Sequence, residues 1–276
     1  MIVFSTLWRT EESEKLSYYL PFWENSVYGF EALEGERIDE KWMVETPLEI
    51  SNVCMKIPGK NETFPSLLSE KQEEKEKAFA ALARVCQHAI RLKAPYVVVW
   101  PGKIPIAIST STNEGSHSLT QENIQNRKQR GPSIVDRLCR LIFDMSRKFP
   151  DLSFCLSPGR ALNEAPLIHE MEWILGDLKK ENLRYWHNTA HAHLQQKIGL
   201  SSSEAWLEKF CDRMVGVHLE DVMEGDTALP GIGEVDFSIL KNYLRPKTIR
   251  VVRAASRFEL HEIWFSFQHL KEKNVL

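Results

Sequence analysis

The chain reads as an α/β protein whose strand count favours a (β/α)8 barrel, and three observations point there. Short apolar runs rich in β-branched and aromatic residues alternate with amphipathic helical stretches, the pattern of parallel βα units. Eight such runs occur, the number that closes a barrel. The length of 276 residues suits one domain spanning 1–276, since barrels of this kind take about 250 residues around a single core. The alternation taken alone also fits an open doubly wound sheet.

The strands are expected from Ile2 to Thr6, Val27 to Leu33, Leu48 to Ile57, Tyr96 to Trp100, Leu152 to Leu156, Leu183 to His187, Met214 to Leu219 and Thr248 to Val252. Between them Phe79, Leu82, Cys86, Ala89 and Ile90 share one helical face, as do Ile134, Leu138, Leu141, Ile142 and Met145. Leu167, Met171, Ile174 and Leu178 repeat the pattern, and so do Leu260, Ile263, Trp264 and Phe267. Ser133-Ile134-Val135-Asp136 reads as a helix start with a capping box, and Pro132 as the end of the loop before it. That loop, 101–131, is rich in Ser, Thr, Asn and Gln and too long for an ordinary connection. It follows the fourth strand, where barrel active sites form, and reads as a lid. Ile104-Pro105-Ile106-Ala107-Ile108 is too apolar for a plain solvated tether.

Composition narrows the function classes. Hydrophobic residues at 43% and charged residues at 26% supply enough apolar side chains to fill a barrel, which argues against disorder. A formal charge of -3 gives no overall attraction to polyanions, so no nucleic-acid partner is expected. Met1-Ile2-Val3-Phe4-Ser5 opens directly as a strand, with no signal segment, so a cytoplasmic location is expected, and no apolar run is long enough to span a membrane. The five cysteines, Cys54, Cys86, Cys139, Cys155 and Cys211, are widely spaced in apolar surroundings and read as reduced core residues. The acidic run from Glu70 to Lys77 and the basic run Arg127, Lys128, Arg130 read as solvated faces.

The carboxyl-terminal half carries three motifs: His187-Asn188-Thr189-Ala190-His191-Ala192-His193, Val217-His218-Leu219-Glu220-Asp221, and Leu229-Pro230-Gly231-Ile232-Gly233-Glu234-Val235-Asp236. In this form they resemble the xylose isomerase-like TIM barrels, which include sugar isomerases, epimerases and endonuclease IV-type AP endonucleases. The resemblance spans essentially the whole chain and selects the barrel over the open sheet. It implies a divalent metal at the mouth held by strand-end carboxylates and imidazoles, two of the carboxylates also moving protons.

At the positions the resemblance assigns to those ligands, the chain departs. Asn188 stands for the metal-binding Asp, Ser157 for one strand-end Glu, Arg253 for the other, Thr227 for the loop His, and Trp100-Pro101-Gly102 for a His-Pro-Gly. His191 and His218 remain. No metal is therefore favoured, because a guanidinium opposes a divalent cation in a low-dielectric cleft. The reading is an isomerase- or epimerase-like barrel binding a small polyhydroxylated, anionic ligand such as a sugar phosphate or sugar acid.

Glu31, His191, His218 and Asp221 are the proton-transfer candidates. Trp8, Trp100, Lys103, Ser157, Arg160, His187, Asn188, Arg253 and Arg257 are the ligand-binding candidates, the arginines because they pair bidentately with anions and the tryptophans as a stacking platform. Arg253 reads alternatively as a structural charge that neutralises Glu31 or Glu220 across the mouth. His187 and His193 read equally well as packing residues, and His88, His169, His261 and His269 as surface or packing ones. Two alternatives stand beside this reading. One keeps zinc, manganese or iron in a rearranged site of His187, His191, His218 and Asp226 or Asp221. The other is a non-catalytic binding or scaffold protein. AP endonuclease activity fits least, since most of that branch's ligands are missing.

Overall fold

A computed structural model describes residues 1–9, 27–34, 49–56, 66–104, 106 and 121–276, the side chains of 8, 9 and 121 excepted. The strands are β1 (Ile2–Ser5), β2 (Gly29–Leu33), β3 (Glu49–Cys54), β4 (Tyr96–Val99), β5 (Ser153–Leu156), β6 (Leu183–Asn188), β7 (Met214–Leu219) and, beyond a small hairpin of β8 (Asp221–Met223) and β9 (Asp226–Ala228), β10 (Ile249–Val252). All but the hairpin pair in parallel and close a barrel in the order β1-β10-β7-β6-β5-β4-β3-β2, the seam between β10 and β1 running through Val251 and Val3. Every expected strand is present in this barrel.

Both faces of the barrel wall are buried, which is why its strands read as continuous apolar runs. Val3, Leu33, Cys54, Val98, Cys155, Trp186, Ile249 and Val251 form an inner cluster. Their alternate neighbours, Phe4, Val53, Val97, Phe154, Tyr185 and Val252, belong to a second cluster shared with the helices. Trp186 is the widest plug of the interior, and Gly216 makes room for it, because a Cβ there would sit 2.4 Å from the indole ring. The same alternation, carried past the apolar layers, turns Ser5, Glu31, Asn188, His218 and Arg253 toward the carboxyl-terminal mouth.

The surrounding helices are α1 (Gln72–Arg91), α2 (Gln121–Lys148), α3 (Ile168–Asp177), α4 (Thr189–Lys197), α5 (Ser203–Phe210) and α6 (Leu260–Glu272). Leu82, Cys86 and Ala89 of α1 face the barrel as expected, whereas Ile90 is exposed. Among the described residues no helix is long and apolar enough to cross a membrane.

Helix α2 corrects two expectations. It starts at Gln121, so the expected 101–131 loop is helical over its last eleven residues, while 105 and 107–120 lie outside the described residues. Pro132 and Ser133 are interior to the helix, with the Ser133 hydroxyl donating to the Arg130 carbonyl at 3.1 Å rather than capping a start. The reason is tertiary. Arg127, expected on a solvated face, is fully buried and forms a fork with both oxygens of Glu170 on α3, its Nη2 lying 2.6 Å from Oε2. Its Nε donates to the Leu162 carbonyl at 2.9 Å, and Glu170 also accepts the Leu167 amide at 2.8 Å. A buried pair with its hydrogen bonds completed holds the residues before Pro132 in the helix despite the amide that proline lacks.

Candidate functional site

At the mouth, Glu31 is the centre of a buried polar cluster. Its Oε1 accepts from the Ser5 hydroxyl at 2.7 Å, and its Oε2 accepts from Asn52 Nδ2 at 2.6 Å. His218 Nε2 stands 2.5 Å from Oε2, and Arg253 Nε 3.0 Å from Oε1. The second carboxylate, Glu220, lies 3.6 Å from Arg253 Nη1 and accepts from Asn188 Nδ2 at 2.7 Å. Arg253 Nε has no aligned acceptor despite its nearness to Glu31, so its contact there is coulombic. Burial pushes the Glu31 carboxyl up, but His218, Arg253 and the His218 and Ser5 hydrogen bonds together hold it down at about 2. Burial likewise opposes ionisation of Glu220, and Arg253, His191, His218 and the Asn188 hydrogen bond together outweigh it to leave that carboxyl below its ordinary value. Desolvation works against the Arg253 charge, and Glu31 and Glu220 more than offset it.

The start of α4 fixes the next part of the site. Asn188 caps the helix, its Oδ1 accepting from the His191 amide at 2.9 Å while its Nδ2 serves Glu220. His191 Nδ1 lies 2.9 Å from the Pro158 carbonyl. That acceptor requires the hydrogen on Nδ1, which leaves a lone pair on Nε2. Burial pushes His191 down to about 4, so it is neutral at ordinary pH. His191 and His218 line a small cavity with Cys54, Trp100, Ser157 and Pro158, of about 10 Å³, room for about one water. The indole nitrogen of Trp100 is buried without an acceptor.

Several expected site residues are placed otherwise. His187 belongs to the outer face of β6. Its Nδ1 is 2.7 Å from the Tyr185 hydroxyl, and burial pushes it down to about 3. It lines a separate cleft of about 290 Å³ with His193, Glu204 and Glu234, outside the barrel. Asp221 faces the loop that follows the hairpin, where its carboxylate accepts the amides of Val222, Gly231, Gly233 and Val235 at 2.8 to 3.0 Å. Arg160 is bound to Glu164, with Nη2 to Oε1 at 2.7 Å. Arg257 is exposed, donating to the Thr227 carbonyl at 3.0 Å and lying over Phe258. Ser157 donates to the Trp186 carbonyl at 3.0 Å, and Lys103 is half-buried and bridges Glu164 through the backbone. Asp226 is exposed on the hairpin, and the side chain of Trp8 lies outside the described residues.

Ser5, Asn52, Cys54 and Glu164 are site residues that sequence reasoning misses, and Glu220 is one it reaches only as a counter-charge of Arg253. Counting by twos from His218 reaches Glu220.

The metal positions implied by the resemblance do not fit a divalent ion. Ser157 spends its hydroxyl on a carbonyl, Asn188 uses both amide atoms, and Arg253 brings a cation. His187, His191, His218 and Asp226 do not converge either. Among the described residues the group of donors close enough to share an ion is Glu31, Cys54 and His218, whose ligating atoms lie within 4.8 Å of one another. Burial pushes the Cys54 thiol well above its ordinary value, which opposes the thiolate an ion would need.

No family model and no curated sequence matches the chain. Solved structures do. The zinc-bound IolI protein is 14% identical, with a TM-score of 0.66 over 99% of this chain and 96% of that one. The 3-keto-D-glucoside 4-epimerase of E. coli is 16% identical, with a TM-score of 0.63 over 98% of each chain. Endonuclease IV from Thermus thermophilus is 14% identical, with a TM-score of 0.64 over 99% of this chain and 98% of that one. With its closed barrel of eight parallel strands, the chain has the fold of the xylose isomerase-like TIM barrels.

Proposed function

We propose that the mouth binds a small, neutral, polyhydroxylated molecule and moves a proton on it, as an isomerase or epimerase of sugars does. The observation that carries this reading is the 2.5 Å contact of His218 with Glu31, inside a buried cluster that also holds a guanidinium, beside a neutral His191. In such a reaction a base takes the proton from a carbon next to a carbonyl, the oxygen gains the charge, and the proton returns to the neighbouring carbon or to the opposite face. His191, its Nδ1 hydrogen bonded to Pro158, brings the free Nε2 lone pair as the proton acceptor, and the His218–Glu31 pair holds and returns one.

The anionic ligand expected from the sequence is not retained. Arg253 and Arg160 are each committed to carboxylates, and among the described residues Glu31, Glu164 and Glu220 outnumber these two guanidinium groups. An uncharged ketose or aldose suits that balance better than a sugar phosphate. The test is exchange of carbon-bound hydrogen in D2O, followed by NMR with a panel of ketoses and aldoses and a chelator present. Deuterium appearing next to the carbonyl with one member of the panel supports the reading. Binding without exchange would favour a non-catalytic barrel, and neither binding nor exchange would defeat both.

A second reading keeps a divalent ion, on the convergence of Glu31, Cys54 and His218. Zinc suits such a donor set best. One equivalent of metal in protein purified without chelator or affinity tag would favour it.

A further inference from the structure

We infer that Arg253 is the resident cation of the mouth, and that it keeps closed a latent divalent-cation site made by Glu31, Cys54 and His218. The inference concerns the charge balance of the mouth: it is independent of the proton-transfer reading above and excludes the metal-bound one, since Arg253 holds the place of the ion in the wild type.

Three observations carry it. The donor atoms of Glu31, Cys54 and His218 already lie within 4.8 Å of one another, all three residues buried, on three different strands or strand ends. The guanidinium sits 3.0 Å from one of those donors, Glu31 Oε1, and reaches toward Glu220 at 3.6 Å. Its Nε is buried with no aligned hydrogen-bond acceptor, so its hold is largely coulombic: it adds positive charge to Glu31, already met by His218, and to Glu220, which among the described residues has no other ion-pair partner. An ion bound to Glu31 would stand within a few ångströms of that fixed positive charge, in a buried setting where repulsion is weakly screened. Side chain and ion therefore exclude each other. Removing the guanidinium leaves two buried carboxylates, an imidazole and a thiol facing a space that lacks a cation, and a divalent ion then compensates what arginine did.

Cobalt(II) is a direct probe, because bonding to a thiolate gives an intense near-ultraviolet band that bonding to carboxylate and imidazole alone does not. Wild-type protein, Arg253→Met and the double variant Arg253→Met/Glu220→Gln would be titrated with cobalt(II) alone, with folding checked by circular dichroism. The double variant strands one carboxylate fewer and guards against loss of fold. Wild type is expected to show no thiolate band, whereas a folded variant binds one equivalent at least roughly 100-fold more tightly and shows it. Adding Cys54→Ser should abolish the band. A thiolate band in the wild type at comparable affinity would overturn the inference, whichever variants fold. So would a folded variant that binds no cobalt.

Discussion

His218 Nε2 and Glu31 Oε2 meet at 2.5 Å although 187 residues separate them, so β7 and β2 are tied across the barrel mouth by a bond that neither strand foreshadows. A hydrogen bond this short to a carboxylate is of the charge-assisted kind, and it positions the imidazole as well as holding it.

Removing either partner should affect activity and stability differently. His218→Gln is expected to lower proton exchange on a substrate by about 100-fold or more. Glu31→Gln should in addition cost about 3 kcal/mol of stability, because Arg253 loses one of its two buried counter-charges. Urea melts run beside the exchange assay separate the two effects. Equal loss of stability in both variants would mean that Arg253 does not depend on Glu31.

Stability should fall on mild acidification. His191 and His187 are held near 4 and 3 when folded, against 6.5 ordinarily, so the unfolded chain takes up their protons first and unfolding is favoured as pH drops below 6.5. Glu31, held near 2 against 4.5, adds a further loss only below 4.5. Between about pH 7.5 and about pH 5.5 the two imidazoles should together cost about 2–3 kcal/mol. Denaturant melts at both values check this, and the double variant His187→Gln/His191→Gln should flatten the difference.

The Arg127–Glu170 fork offers a test of what fixes the start of α2. Arg127→Leu should destabilise the protein by about 3–5 kcal/mol, since it leaves Glu170 buried and unpaired. Arg127→Met/Glu170→Leu should recover most of that loss, short of about 1 kcal/mol for the Leu167 amide that Glu170 accepts. A double variant no more stable than the single one would show that the pair is needed for more than its charge.

Gly216→Ala should cost about 1–3 kcal/mol, because the new methyl meets the Trp186 ring at 2.4 Å. Shrinking the ring in Trp186→Leu also costs stability through a cavity. Their combination should cost less than the sum, and a double-mutant cycle reads that coupling.

Strand positions were legible because a wall buried on both faces leaves runs of Val, Ile, Phe and Leu that turns and helices interrupt visibly. The mouth was legible in part: Ser157, Asn188, His218 and Arg253 could be named from strand ends, and Glu31 from the likeness of its strand to the family's second. Direction was harder. His187 and Asp221 lie one residue from inward-facing Asn188 and Glu220, and a step of one turns a side chain to the other face of the wall. The pairing of Arg127 was beyond reach, since its basic stretch looks solvated until Glu170, 43 residues later, is brought against it. The charge state of the mouth was open in the sequence. Arg253 reads either as an anion binder or as the counter-charge of Glu31 or Glu220, and the geometry sets it beside both carboxylates.

The Asp221 clasp also divides its loop into a fixed base and a free end. Four amides hold the base, while the hairpin tip, Glu224-Gly225, has both residues at positive φ, the conformation of a two-residue I′ turn, and stands exposed. For protein engineering the tip is a splice point. An epitope or a dye-attachment peptide inserted there would hang beside the rim without disturbing it, turning the barrel into a carrier with a reporter stationed at its entrance.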